Sequence, residues 1–213
     1  MKKVILIVFL CFIVCGCVNV NNSSIDQILT DSLSSELDFY NTQRNGYKYY
    51  IPKGIKALTK NDYNEILADN KNKYYMYVDI LSKYNNVEFD YIKKTNVYYS
   101  NVIKYQDKFG YLEINKVENE KYLIEIMYNY AKIEVMVEED EINKTIAYCI
   151  SILSSIKYND DILKSLLDDN KVGFSDEEYN IFETAETESN YLDYVEKYDN
   201  YESNENEDND FIN

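Results

Sequence analysis

The stretch from Thr95 to Val137 constrains the fold of this chain more than any other. It holds "TNVYYSNVIKY" (95–105), the turn signal "QDKFG", a return run from Tyr111 to Val117, the polar "ENEK", and an apolar run from Tyr122 to Val137. Links this short cannot carry a crossover, so the successive strands must pair antiparallel. The last run reads as one long or bent strand, with Tyr122, Ile124, Ile126 and Tyr128 on one face.

Upstream, "GYKYYI" (Gly46–Ile51) reads as a strand stopped by Pro52 and Gly54, after the turn signal Asn45-Gly46. Asn64–Ala68 and Lys73–Tyr84 read as hairpin arms around "DNKN". In the second arm Tyr74, Met76, Val78 and Ile80 form the more apolar face, opposite Tyr75, Tyr77, Asp79 and Leu81. Ile25, Ile28, Leu29, Leu33 and Leu37 have helical spacing over 24–38. Ile142, Ile146, Cys149, Leu153 and Ile156 step by four, three, four and three, one continuous apolar stripe along 138–156. Glu138 to Glu141 crowd its start, where negative charge suits the helix dipole. A second short helix, 160–169, carries Ile162, Leu163, Leu166 and Leu167. The expected class is α+β: an antiparallel meander sheet covered by a C-terminal amphipathic helix.

The amino terminus points elsewhere. Met1-Lys2-Lys3 is a cationic start, and Val4 to Val14 is an uninterrupted apolar run. That run is too short to span a bilayer, which takes ~20 residues, but fits the central region of a signal peptide. Gly16 is the small residue expected before a cleavage point, and Cys17 is followed by the polar "VNVNNSS". The run Val14-Cys15-Gly16-Cys17 resembles the processing signature of bacterial lipoprotein precursors. The resemblance implies that Cys17 receives a diacylglycerol, that cleavage falls between Gly16 and Cys17, and that the new amino terminus is often acylated too. Two or more acyl chains hold a protein firmly, at ~0.8 kcal/mol per buried methylene. A metal half-site is a poorer reading of the two cysteines, since the chain has no His and only Cys149 beyond this region. The expected organisation is a signal peptide (1–16), a lipid-anchored tether (17–24), a globular domain (25–174) and an acidic, largely disordered tail (175–213). The expected place is the extracytoplasmic face of the cell membrane.

Across residues ~45–160 the order of elements, from "YKYYIPKG" through a twisted meander to a closing helix ending "ILSSIKYND", resembles the PsbP-like α/β/α sandwich. What that implies is a binding or accessory role, although fold alone does not settle function.

Composition excludes more than it assigns. The net charge is −16, and Lys2 and Lys3 would leave with the signal. Nucleic acid is therefore excluded as a partner, and the domain would not lie flat on anionic lipid. The 24 tyrosines accompany an abundance of Asn, Ile and Lys, with Arg44 the sole arginine. That is the mark of AT-rich codons, so the count is no guide to function. Without His there is no Ser–His–Asp or Cys–His arrangement, and no phosphate-loop pattern occurs. No catalytic residue, metal or cofactor is expected. Cys149 reads as a buried small hydrophobe. Asp79, interrupting the strand at "YVDIL", reads as a solvated or hydrogen-bonded carboxylate on the polar face. "DDNKVG" places Asp168, Asn170 and Gly173 at positions one, three and six of a calcium loop. Val172 and Tyr179 then stand at five and twelve, so the bidentate Glu is missing.

From Ser175 onward fourteen acidic residues face Lys197 alone, a composition of disorder. Within it Tyr191, Tyr194, Val195 and Tyr198 have helical spacing behind Asn190, which predicts a short helix over 190–199 docking on the domain or on a partner. The function expected is a lipid-anchored extracytoplasmic binding or accessory protein, whose partners are the membrane, through acylated Cys17, and another protein. The alternatives are a small carboxylate-based enzyme, which needs a cleft with two acidic groups of separated pKa, and the solute-capturing component of a transporter, which needs two lobes.

Overall fold

The structure, a computed structural model, describes residues 23–35, 38–59 and 61–168. Gly16, Cys17, the stripe at 190–199 and most of the calcium-like segment lie outside the described residues. In chain order the elements are α1 (Ile25–Ser34), β1 (Thr42–Arg44), β2 (Tyr47–Tyr49), β3 (Lys56–Ala57), β4 (Asn64–Ala68), β5 (Lys73–Val78), α2 (Ile80–Tyr84), β6 (Tyr99–Tyr105), β7 (Lys108–Lys116), β8 (Tyr122–Tyr128), β9 (Ala131–Val137), α3 (Ile142–Ser154), β10 (Lys157–Tyr158) and α4 (Asp160–Asp168). Among the described residues no helix is long and apolar enough to cross a membrane.

The class is α+β. A seven-stranded sheet runs in the order β3-β4-β5-β9-β8-β7-β6, and a three-stranded one in the order β1-β2-β10. Every pairing is antiparallel. The large sheet is two meanders, β3–β5 and β6–β9, joined where β5 pairs with β9. That join obliges the chain to travel from the end of β5 to the far edge strand, β6, and residues 85–98 make the journey without regular structure.

The core lies on one face of the large sheet. Met76, Ile133, Ile126 and Leu112 follow one another across four strands in register. Against them packs the apolar stripe of α3, with Ile142, Ile146, Cys149 and Leu153 buried. The helix α1 lies on α3 and buries Ile28, Leu29 and Leu33. Each such side chain contributes ~1.5–3 kcal/mol on leaving water. Ser24 caps α1 by accepting from the Gln27 amide at 3.2 Å. Gly110 in β7 is obligatory for close approach: a Cβ there would lie 2.0 Å from the Met127 carbonyl oxygen of β8.

Two expectations are corrected. The run 122–137 is a hairpin, not one strand. It turns at Asn129-Tyr130, whose φ angles of 54° and 60° are both left-handed, as a two-residue turn matching strand twist requires. The arm drawn to Tyr84 stops at Val78, and α2 begins at Ile80, because Asp79 accepts from the Ser82 amide at 2.9 Å and starts a helix.

Candidate functional site

Two polar constructions stand out, one beside the small sheet and one across the large sheet. In the small sheet Gln43, Lys48 and Lys157 are neighbours in register. The alternate residues Tyr47 and Tyr49 point into the protein and are buried. Both hydroxyls donate to Glu65 Oε1, at 3.2 and 2.9 Å. The other oxygen of Glu65 accepts from the Arg44 guanidinium. Glu65 is fully buried on β4, so the sole arginine and two tyrosines serve its charge. Arg44 then emerges at the edge of an open concavity of about 580 Å³. Its walls combine cations (Arg44, Lys48, Lys157), carboxylates at the start of α4 (Asp160, Asp161) and the ring of Tyr40. Lys48 Nζ stands 4.0 Å from that ring's centre, and Lys157 donates to Asp38. Such a lining suits a dipolar or hydroxyl-rich ligand better than a strongly charged one.

The second construction is a row of three glutamates. Strand register sets Ser100, Glu113, Glu125, Glu134 and Tyr75 side by side across β6, β7, β8, β9 and β5, on the face away from α3. Glu113 and Glu134 are each 5 % exposed, and Lys132 is buried with them. Lys132 Nζ donates to Glu134 Oε1 at 2.7 Å, and the Tyr111 hydroxyl donates to Glu125. Burial, reinforced by the neighbouring Glu125 charge, raises the Glu134 pKa despite Lys132. Burial also opposes ionisation of Glu113, but hydrogen bonds from Asn115, Tyr91 and Lys94 outweigh it and hold that carboxyl below its ordinary value. Two carboxyls driven apart in this way are what acid–base chemistry uses. Here, however, the segment 85–98 lies over them. Tyr91 stacks flat on Tyr111, with centroids 4.3 Å apart. Its hydroxyl donates to Glu113 at 2.7 Å, and Lys94 Nζ donates to the other Glu113 oxygen at 3.0 Å. Among the described residues no three His, Cys, Asp or Glu side chains converge to hold a metal ion.

The residues singled out from the sequence fall elsewhere. Asp79 is a hydrogen-bonded carboxylate but not on a solvated face: it is 2 % exposed, and one carboxylate oxygen caps α2 while the other has no hydrogen-bond partner among the described residues. Burial raises its pKa. The alternation argument failed because the strand ends one residue before it. Cys149 is buried in the core as a free thiol, its pKa pushed up by desolvation. The glutamate row was missed, although its signal was present. Leu112-Glu113-Ile114, Ile124-Glu125-Ile126 and Ile133-Glu134-Val135 each repeat the pattern that drew notice to Asp79.

No protein-family model matches this chain, and no curated protein does. Among solved structures it is similar to a crystal structure of a GTP binding regulator from Thermotoga maritima, at 12% identity, covering 62% of this chain and 90% of that one with a TM-score of 0.23. A likeness that weak carries no argument.

Proposed function

We propose that this chain is a lipid-anchored binding or accessory protein of the extracytoplasmic membrane face, held by acylated Cys17 and acting through a compact α+β domain. The observation that carries the reading is Val14-Cys15-Gly16-Cys17, placed after an apolar run and just ahead of α1, which starts at Ile25. A polar tether between lipid and domain would leave the 580 Å³ concavity open to the aqueous side. The PsbP-like arrangement belongs to the same proposal.

The test is processing in a bacterial host. Fed a labelled fatty acid, cells expressing the full chain should yield a membrane-bound protein that begins at Cys17 and carries acyl groups there. The Cys17→Ser variant should be unlabelled and leave the membrane fraction. Recovery of the wild-type chain from the cytosol with an unmodified Met1 terminus would overturn the proposal.

A further inference from the structure

We propose that the glutamate row and the segment laid over it form a pH-responsive latch: Glu134, opposite Glu125, keeps its proton while residues 85–98 are seated, and releases it when they lift from the sheet.

The charge balance of the row requires such a proton. Glu125 and Glu134 stand directly opposite on β8 and β9, where side chains are ~5 Å apart and like charges repel. Among the described residues two ammonium groups serve the three carboxyls: Lys132, on Glu134 and in the field of Glu125, and Lys94 on Glu113. Three carboxylates against two ammonium groups leave one negative charge in excess in a half-buried to buried setting, and a proton on Glu134, whose pKa is raised by burial and by the Glu125 charge, cancels it. The other titratable groups facing the pair are the phenols of Tyr75 and Tyr77 on β5, Tyr111 on β7 and Tyr91 on the crossover. Burial raises the pKa of Tyr91 and Tyr111. β6 contributes only the Ser100 hydroxyl to the row. Below the range in which phenols ionise, Glu134 is thus the group of the row with a proton held by burial.

The cover is coupled to that proton by contact. Tyr111 donates to Glu125, Tyr91 lies flat on Tyr111, and Tyr91 and Lys94 both reach Glu113. The Lys94 amide donates to the Ser100 hydroxyl at 2.9 Å. A second full charge on the pair must find water, since an uncompensated buried charge is far more costly than a lifted loop. Water reaches the row where Tyr91 and Lys94 now sit. The cover is also cheap to move: it has no regular structure, and Ile92 within it is 85 % exposed.

Residue-resolved hydrogen exchange on the full chain tests this. After correction for intrinsic rates, protection of amides between Val87 and Tyr98, Lys94 included, should fall about tenfold per pH unit as Glu134 ionises, while β8 stays protected. Glu134→Gln, which fixes the neutral form, should make the cover's protection independent of pH. Constant protection in the wild type, or an equal fall in Glu134→Gln, would overturn the latch. Should that variant fail to fold, infrared spectroscopy of the wild type decides. A protonated carboxyl band must persist at neutral pH and vanish in step with the lost protection, and its absence at neutral pH sinks the idea.

Discussion

At the scale of single residues, Arg44 and Glu65 show how a strongly acidic chain places its one arginine. Glu65 sits on β4, fully buried beneath the small sheet, and accepts from Arg44, Tyr47 and Tyr49. A guanidinium suits this better than an ammonium, because its planar fork stays charged and is less strongly hydrated. Removing one partner of a buried pair leaves the other charge uncompensated, which costs more than the pair itself contributes. Arg44→Met should therefore destabilise the domain by about 3 kcal/mol, at the low end for buried pairs because Arg44 reaches the concavity edge. The double variant Arg44→Met with Glu65→Gln should recover part of that loss in urea unfolding. Equal loss in the single and double variants would mean that Arg44 matters for packing and not for the charge on Glu65.

At the scale of elements, the hairpins of the second meander are closed by left-handed residues that are poor choices for the task. The β7–β8 turn uses Asn119 and Glu120, with φ of 57° and 58°, and the β8–β9 turn uses Asn129 and Tyr130. Asn visits this region at little cost, whereas a residue with a longer side chain loses roughly 1 kcal/mol there. Replacing Glu120 by Gly should thus stabilise the domain by about 0.5–1 kcal/mol, measured as a raised midpoint in denaturant. Its partner Lys116 is an exposed surface contact of little weight. A lowered midpoint would show that this pair matters more than the backbone. The same turns explain what was legible in the sequence. Strands with alternating faces and the α3 stripe could be read directly, because periodicity is a local property. The break at Asn129-Tyr130 could not, since the pair lacks the glycine that usually marks such a turn. Nor could the pairing of β5 with β9, because it joins segments far apart in the chain. The glutamate row depends on both: Glu113, Glu125 and Glu134 become neighbours only once the hairpin turn and the register are known.

At the scale of the whole molecule, opposed carboxyl shifts shape the dependence of stability on pH. Hydrogen bonds hold Glu113 and Asp69 below their ordinary values despite burial. Their stabilisation is present above the unfolded-state value of ~4 and is lost as pH falls through their lower folded values. Glu134 has the reverse sign. Burial raises its folded pKa, so its contribution is complete below ~4.3 and is lost as pH rises through that raised value. Tyr91 and Tyr111 add a further loss above pH ~10, where the unfolded chain ionises first. Unfolding free energies from urea titrations should therefore peak in weak acid and decline as pH rises through the raised Glu134 value. Glu134→Gln should keep the acid limb and lessen the decline, leaving the part due to Asp79, whose pKa burial also raises. The fourteen acidic residues from Ser175 onward offer a competing cause, self-repulsion. That repulsion is the same in the wild type and in Glu134→Gln, so comparing the two separates the causes. A decline above the maximum as steep in Glu134→Gln as in the wild type would remove Glu134 as its cause.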